Sequence, residues 1–528
     1  MRDVYRARNG FQGSVVATDT AGGTWPDAPR PRGRHFTSIM DKAAAAIRSL
    51  RGFLSTDQQW GAFVALILFL KFCLLLVDPS PKFYMGDSGS YISTATSGTI
   101  PPDRSFVYGY VVRALAVWPS SLTPLLLCQA LLSGGTAIMV AVICRSIFCL
   151  SPRSSYFFGL VSCVDPLQLV WERYVMTEAV SLFIYVLFLY FCFCYVRDRH
   201  IRNLLFVQLL GIVLLAFRLS YLLVIQVTTV LLPLVAFVPD TAVTRRRLAG
   251  FFVPTLWGHL AISGILMLGL HSCYKEVNGR LCHSAPAYGY NTGFHLLAVW
   301  APALKPVDAV DSRLAQVIAK GNDYHITSLD LRNSQRFSPG YLVDRWRTIE
   351  SNPLTANDIA RRTGLRALRR DPLGILNLAI RTYLEFWNHR SMKIFARLDL
   401  GHDMTKDNVA MLATHFHWTG NPAISAEHPT LLQRYFLGSW RYCLFVLISP
   451  LLGLASLFVA REKKYAALLF IHASILVAVI TVFTVNPSMR YVQPISILTI
   501  LIIAQLGNRF LRRSAPCAST NGGERRKF

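Results

Sequence analysis

Apolar runs recur along this chain near residues 60–77, 122–144, 155–171, 177–196, 203–217, 219–238, 249–270, 439–459, 465–485 and 491–508. A helix needs about 20 such residues to cross the hydrocarbon core of a bilayer, and most of these runs reach or approach that length. With 528 residues of which 53% are hydrophobic, the chain is too apolar to divide into soluble domains. The expected fold class is an all-α polytopic membrane protein of about ten transmembrane helices.

A formal charge of +25 invites a nucleic-acid reading, but the cations sit at alternate ends of the runs. They gather in the N-terminal tail, Arg145 to Arg153, Arg197 to Arg202, Arg245-Arg246-Arg247, Arg461 to Lys464, and the tail from Arg509 to Lys527. Such a bias sets topology. Placing all six segments in the cytoplasm requires ten crossings and puts both termini there. The expected organisation is then a disordered basic cytoplasmic tail (1–55), a transmembrane module (56–270), an extracytoplasmic domain (271–438), C-terminal transmembrane helices (439–508) and a basic tail (509–528). The first apolar run begins only near Trp60, which suits a signal anchor better than a cleaved signal peptide.

Most of the eleven cysteines fall in or beside apolar runs and read as small core hydrophobes. Cys273 and Cys282 fall outside, around Asn278-Gly279, a hairpin turn signal. A two-residue turn there pairs Cys273 with Ser284 and Lys275 with Cys282, so a disulfide needs a different loop and is left open. The loop 78–121 ends in an interfacial helix by its pattern, and 371–387 reads as amphipathic with aromatic anchors. Mixed, mainly helical structure is expected over 271–438.

The stretch Gly86-Asp87-Ser88-Gly89 has the look of a serine nucleophile loop, but the only histidine upstream is His35, in the expected cytoplasmic tail. That leaves a polar turn or a working carboxylate at Asp87. Glu172 and Glu178 fall on the same expected face, with Glu178 at the start of a span, where an ionisable group is costly. A plain helix N-terminal charge is the other reading of Glu178. Arg104, Arg173, Arg218, Lys275 and Arg490 converge on that face too, and guanidinium forks match phosphate geometry. Singly, each arginine reads sooner as an interfacial anchor, and only as a group do they favour a phosphate. Lys71 falls roughly 10 Å inside the first run. His402, His415, His417 and His428 lack zinc spacing, so no metal site is assigned. No nucleotide-binding motif is present either.

Four stretches in this order resemble the glycosyltransferase C superfamily, in particular the branch of protein mannosyltransferases and lipid A aminoarabinose transferases. They are "GDSGSYISTATSGTIPPDRSFVYGYVVRAL", "LLLCQALLSGGTAIMVAVI", "DPLQLVWERYVMTEAVSLF" and "NPSMRYVQPI". The family often has two adjacent acids in the first loop, whereas Asp87 is followed here by Ser88. The resemblance implies a multi-pass protein of the cytoplasmic (inner) membrane that transfers a sugar from a polyprenyl-phosphate donor to a lipid, glycan or protein acceptor on the extracytoplasmic side. It implies Asp87 as base and Glu178 as a second carboxylate, with Glu172 open as a partner. Arg218 and Arg490 become donor-phosphate ligands, and Arg104, Arg173 and Lys275 further candidates. Ser88 becomes a loop residue that holds Asp87. No cofactor is assigned, and a divalent cation is left open. The alternatives are an O-antigen-type polymerase or ligase, with its essential Arg and His in 271–438, and a lipid or solute transporter, with inverted repeats and broken helices.

Overall fold

The computed structural model describes residues 56–101, 104, 106–237, 254–321, 326, 331–401, 406–419 and 428–511. The expected tail 1–55 with His35, the Arg245-Arg246-Arg247 cluster, His402 and residues 512–528 lie outside the described residues. The chain divides into two compact units, Met1–Leu66 and Ile67–Phe528, and the second holds the hydrophobic cores and the charged clusters.

Among the described residues every regular element is helical, and Lys82 and Tyr174 form an isolated parallel bridge. The principal helices are α1 (Thr56–Val77), α2 (Met85–Ser97), α3 (Phe106–Val112), α4 (Thr123–Ser146), α5 (Pro152–Cys163), α6 (Glu178–Asp198), α7 (Ile201–Phe217), α8 (Leu222–Phe237), α9 (Pro254–Leu281), α10 (His389–Asp399), α11 (Lys463–Val482) and α12 (Met489–Leu511). Among the described residues, seven helical stretches are long and apolar enough to cross a membrane: Gln58–Val77 in α1, α4, α6, Leu219–Phe237 ending in α8, α9, α11 and Met489–Asn508 in α12. Trp440–Leu447 and Ser449–Val459 make an eighth if their 48° bend is taken as one broken span.

Besides the bent run 439–459, two of the ten predicted runs do not form one helix long enough to count as a span, and the reasons are local. The run 155–171 is cut at Asp165-Pro166, because the residue before a proline is driven out of the helical region. Asp165 instead caps the next turn, accepting from Leu167 N at 2.8 Å. The run 203–217 ends at Arg218, whose extended backbone (φ −153°, ψ 111°) stops α7 at 17 residues. Pro450, near the start of Ser449–Val459, accounts for the bend in 439–459.

The hairpin signal at Asn278-Gly279 is overridden. Both residues lie in α9, Cys273 and Cys282 are free thiols, and the chain turns back only after Leu281. Asn278 Nδ2 donates to Ala287 O at 2.8 Å, and a Cβ at Gly279 would stand 2.9 Å from Ser284 O, so the glycine admits the returning backbone.

Residues 292–370 build a small core of their own around Leu297, Leu314, Trp346 and Ala360. The helix Pro372–Trp387 buries Ile375, Leu378 and Phe386 but also exposes Leu373, Leu376, Ile380 and Leu384, so its apolar surface extends beyond the face that packs inward. The end of the loop 78–121 is helical, α3 running into a π turn over Arg113–Val117. A larger core joins Phe83, Tyr91 and Tyr108 to Trp171, Tyr174, Tyr185 and Phe188, and it floors the charged site at the starts of α2, α6 and α12.

Candidate active site

Gly86-Asp87-Ser88-Gly89 is not a turn: it opens α2. Asp87 N and Ser88 N both donate to Tyr84 O, at 2.8 and 2.7 Å, and Ser88 Oγ accepts from Tyr84 N at 2.9 Å. Ser88 therefore caps the helix start and does not hold Asp87, contrary to what the resemblance implied. Asp87 stands in the first turn, where the helix dipole favours an anion.

Glu178 does the same for α6, as its first residue, with no solvent exposure. Arg490 is the second residue of α12. Its Nη2 meets Asp87 Oδ2 at 2.6 Å, and its Nε donates to Glu178 Oε1. Arg104 Nη2 holds the other oxygen of Asp87, and Arg218 Nη1 lies 3.4 Å from Glu178 Oε1. That nitrogen of Arg218 is buried with no hydrogen-bond partner among the described residues. Aromatic rings wall the cations: Arg490 stacks over Tyr84 (5.3 Å), Trp171 (5.9 Å) and Tyr491 (5.9 Å), and Arg218 over Tyr491 (5.9 Å). Burial alone would push the Asp87 carboxyl up, but the Arg490 and Arg104 guanidiniums hold it below its usual range. Burial pushes the Tyr84 phenol up to about 12.

A third carboxylate joins the group that sequence reasoning did not single out. Asp399, at the end of α10, accepts from Ser488 Oγ at 2.7 Å and from Arg490 N at 3.2 Å. Burial pushes its carboxyl up to about 6. Its partners are distant in the chain, so only an unexpected acid in a basic helix marked it in the sequence. Tyr84, Trp171 and Tyr491 had no local signal either.

The chain matches no family model, no curated protein and no solved structure.

Glu172 and Arg173 belong to a separate cluster. Glu172 Oε1 takes Lys71 Nζ and Ser133 Oγ, each at 2.5 Å, and Oε2 lies 3.6 Å from Arg173 Nη1. Arg173 Nε donates to Asp78 O at 2.8 Å, and Lys82 Nζ pairs with Asp78 Oδ1 at 3.1 Å. All five charged side chains are buried. Lys71 therefore does not snorkel but anchors Glu172. Lys275 is not paired with either carboxylate of the first cluster; its ammonium stands over the Tyr288 ring at 5.4 Å. His415 lies in the last turn of the helix Lys406–Phe416 and His417 follows the helix at φ 51°, so the two do not share a strand face. No group of three or more His, Cys, Asp or Glu side chains among the described residues is arranged to hold a metal ion.

The sequence candidates thus sort into one constellation of Asp87, Glu178, Arg490, Arg218 and Arg104, and one framework of Glu172, Arg173 and Lys71. The constellation offers two carboxylates for proton transfer or orientation, beside guanidiniums suited to an oxyanion.

Proposed function

We propose that this chain is a membrane glycosyltransferase that moves a sugar from a polyprenyl-phosphate donor to a hydroxyl or amine of a lipid, glycan or protein acceptor on the extracytoplasmic face. The observation that carries this reading is the arrangement at Arg490: one guanidinium serves Asp87 and Glu178, and a second, Arg218, places within 3.4 Å of Glu178 a buried nitrogen that makes no hydrogen bond among the described residues. Carboxylates alone fit many roles. Carboxylates sharing convergent guanidiniums at the ends of apolar helices fit an acid–base step next to a lipid-linked phosphate.

In the transfer, the acceptor oxygen or nitrogen forms a bond to the anomeric carbon while that carbon's bond to the phosphate oxygen breaks. The electron pair leaves with the polyprenyl phosphate, and the acceptor's proton goes to Asp87. Arg218 and Arg490 offset the charge that grows on the leaving phosphate, which is worth most in a site shielded from water. Glu178 orients the acceptor and keeps Arg490 in place. With both oxygens held by guanidiniums, Asp87 is a poor base. A donor phosphate that takes over those contacts raises its basicity, so donor binding prepares the base.

A polymerase or ligase would draw on arginine and histidine of 271–438. The half-buried His295 and the buried Arg332 of that segment are engaged with the backbone carbonyls of Phe483, Thr484 and Val299, which suits anchoring better than catalysis. The test is transfer from a polyprenyl-phosphate sugar by the full-length protein in proteoliposomes, with Asp87→Asn and Glu178→Gln as controls. Full activity in both variants would sink the site, and transfer only from a diphosphate-linked glycan would favour the polymerase or ligase.

A further inference from the structure

The connection between α11 and α12 carries Arg490 to the two carboxylates, and side chains from the 271–438 segment grip it on both sides. On the α11 side, Trp300 Nε1 donates to Val482 O at 3.0 Å, His295 Nε2 to Phe483 O at 2.5 Å, and Arg332 Nη2 to Thr484 O at 3.1 Å. A helix C-terminus leaves its last carbonyls unpaired and carries the negative end of the dipole, so donors and a cation suit it. On the α12 side the requirement reverses, and a carboxylate meets it. Asp399 accepts from Ser488 Oγ and from Arg490 N, and thereby caps the start of α12 from a distant part of the chain.

Asp399 is itself fixed. Next to it, Leu400 O accepts from Tyr174 Oη at 2.7 Å. Gly401 has φ +98°, and a Cβ there would stand 2.7 Å from Phe83 O. This close approach ties the end of α10 to the residues that start α2, including Tyr84, whose ring lies under the Arg490 guanidinium.

We propose that Asp399 is a positioning residue for Arg490: by capping the first turn of α12 it sets where the guanidinium meets Asp87, Glu178 and a donor phosphate. This rests on the reading of Arg490 as a phosphate ligand. Arg490 uses different nitrogens for its two carboxylates, so a shift of about 1 Å in its backbone breaks at least one contact. A cap on the backbone N–H of Arg490 itself is the shortest route by which the 271–438 segment can prevent that shift. The burial that pushes Asp399 up to about 6 agrees with a carboxylate kept at some cost.

The test titrates the full-length protein in nanodiscs with a polyprenyl monophosphate. Asp399→Asn is expected to weaken binding about tenfold, the size of one lost charge-assisted hydrogen bond, and Ser488→Ala by less. Asp399→Glu should restore part of the loss. In an Arg490→Gln background, already weakened, Asp399→Asn should add nothing, because its effect runs through Arg490. Equal losses in both backgrounds overturn the proposal, and so does wild-type affinity in Asp399→Asn and Ser488→Ala when Arg490→Gln binds poorly. If Asp399→Asn does not fold, Ser488→Ala carries the same comparison. If Arg490→Gln binds as well as the wild type, the phosphate reading fails, and amide hydrogen exchange over residues 488–492 decides the capping role. Exchange about tenfold faster in Asp399→Asn or Ser488→Ala upholds it, and unchanged exchange overturns it.

Discussion

Arg490 meets Asp87 and Glu178 through different nitrogens of one guanidinium, joining the first turn of α2 to the first turn of α6. Removing the guanidinium leaves two buried carboxylates short of a partner, which costs about 3–5 kcal/mol for a buried pair. Arg490→Gln is therefore expected to lower the thermal unfolding midpoint clearly and to reduce sugar transfer at least about 100-fold. Arg490→Lys should recover much of the stability but little of the transfer, because a point charge cannot serve both carboxylates and a phosphate. Thermal unfolding and a transfer assay on the same preparations check this. Equal recovery of both in the lysine variant would mean that charge alone matters.

Asp87 occupies two arginines, Arg490 and Arg104, that the proposed mechanism and its resemblance assign to phosphate. Asp87→Asn removes that competing anion, so its affinity for a polyprenyl monophosphate should rise roughly fivefold, about 1 kcal/mol. Transfer should fall by about 10²–10⁴, the usual worth of a positioned base. Binding and rate would then move in opposite directions. Binding and rate falling together would make Asp87 a support for the arginines rather than their competitor.

How far the sequence disclosed this arrangement depended on whether the signal was local. The apolar runs gave the membrane-spanning helices because length and hydropathy act within one segment, while Pro166 and Arg218 broke two runs that length alone had passed. Asp87, Glu178, Arg218 and Arg490 were legible as charged groups at helix ends. That Asp87 and Glu178 share the Arg490 guanidinium was not, since the Arg490–Glu178 contact joins residues 312 apart in the chain. Glu172 looked like Glu178 in the sequence, and only packing against Lys71 and Ser133 separated framework from site. Asp399 was missed because its role rests on Ser488 and Arg490, neither of them near it in sequence.

That separation of Glu172 from the site is testable. Glu172→Gln leaves Lys71 buried with a neutral partner and should destabilise the protein by about 3–5 kcal/mol. A paired replacement, Lys71→Met with Glu172→Leu, removes that ion pair but also the anion 3.6 Å from the buried Arg173 guanidinium, so it should recover only part of that loss. Transfer per folded molecule should stay within about threefold of wild type in the double variant, as distinct from the collapse expected at Asp87. A double variant that is stable yet inactive would return Glu172 to the catalytic group.

Asp399 also gives a pH dependence with a definite sign. Its carboxyl is raised from 3.8 to about 6 in the folded protein, chiefly by burial. Between about pH 4 and pH 6 the unfolded chain has released this proton while the folded protein still holds it, so folded stability falls as pH rises through that window. Asparagine carries no such proton. The unfolding free energy of the wild type relative to Asp399→Asn should therefore be higher at pH 4.5 than at pH 7.5, by roughly 2 kcal/mol. Asp87 does not mimic this, since its carboxyl is lowered and its contribution is lost only as pH falls below about 4, in the opposite sense. Chemical unfolding of both proteins at the two pH values measures the difference. A gap that stays constant with pH would mean that Asp399 keeps an ordinary carboxyl, with less burial around the start of α12 than its packing implies.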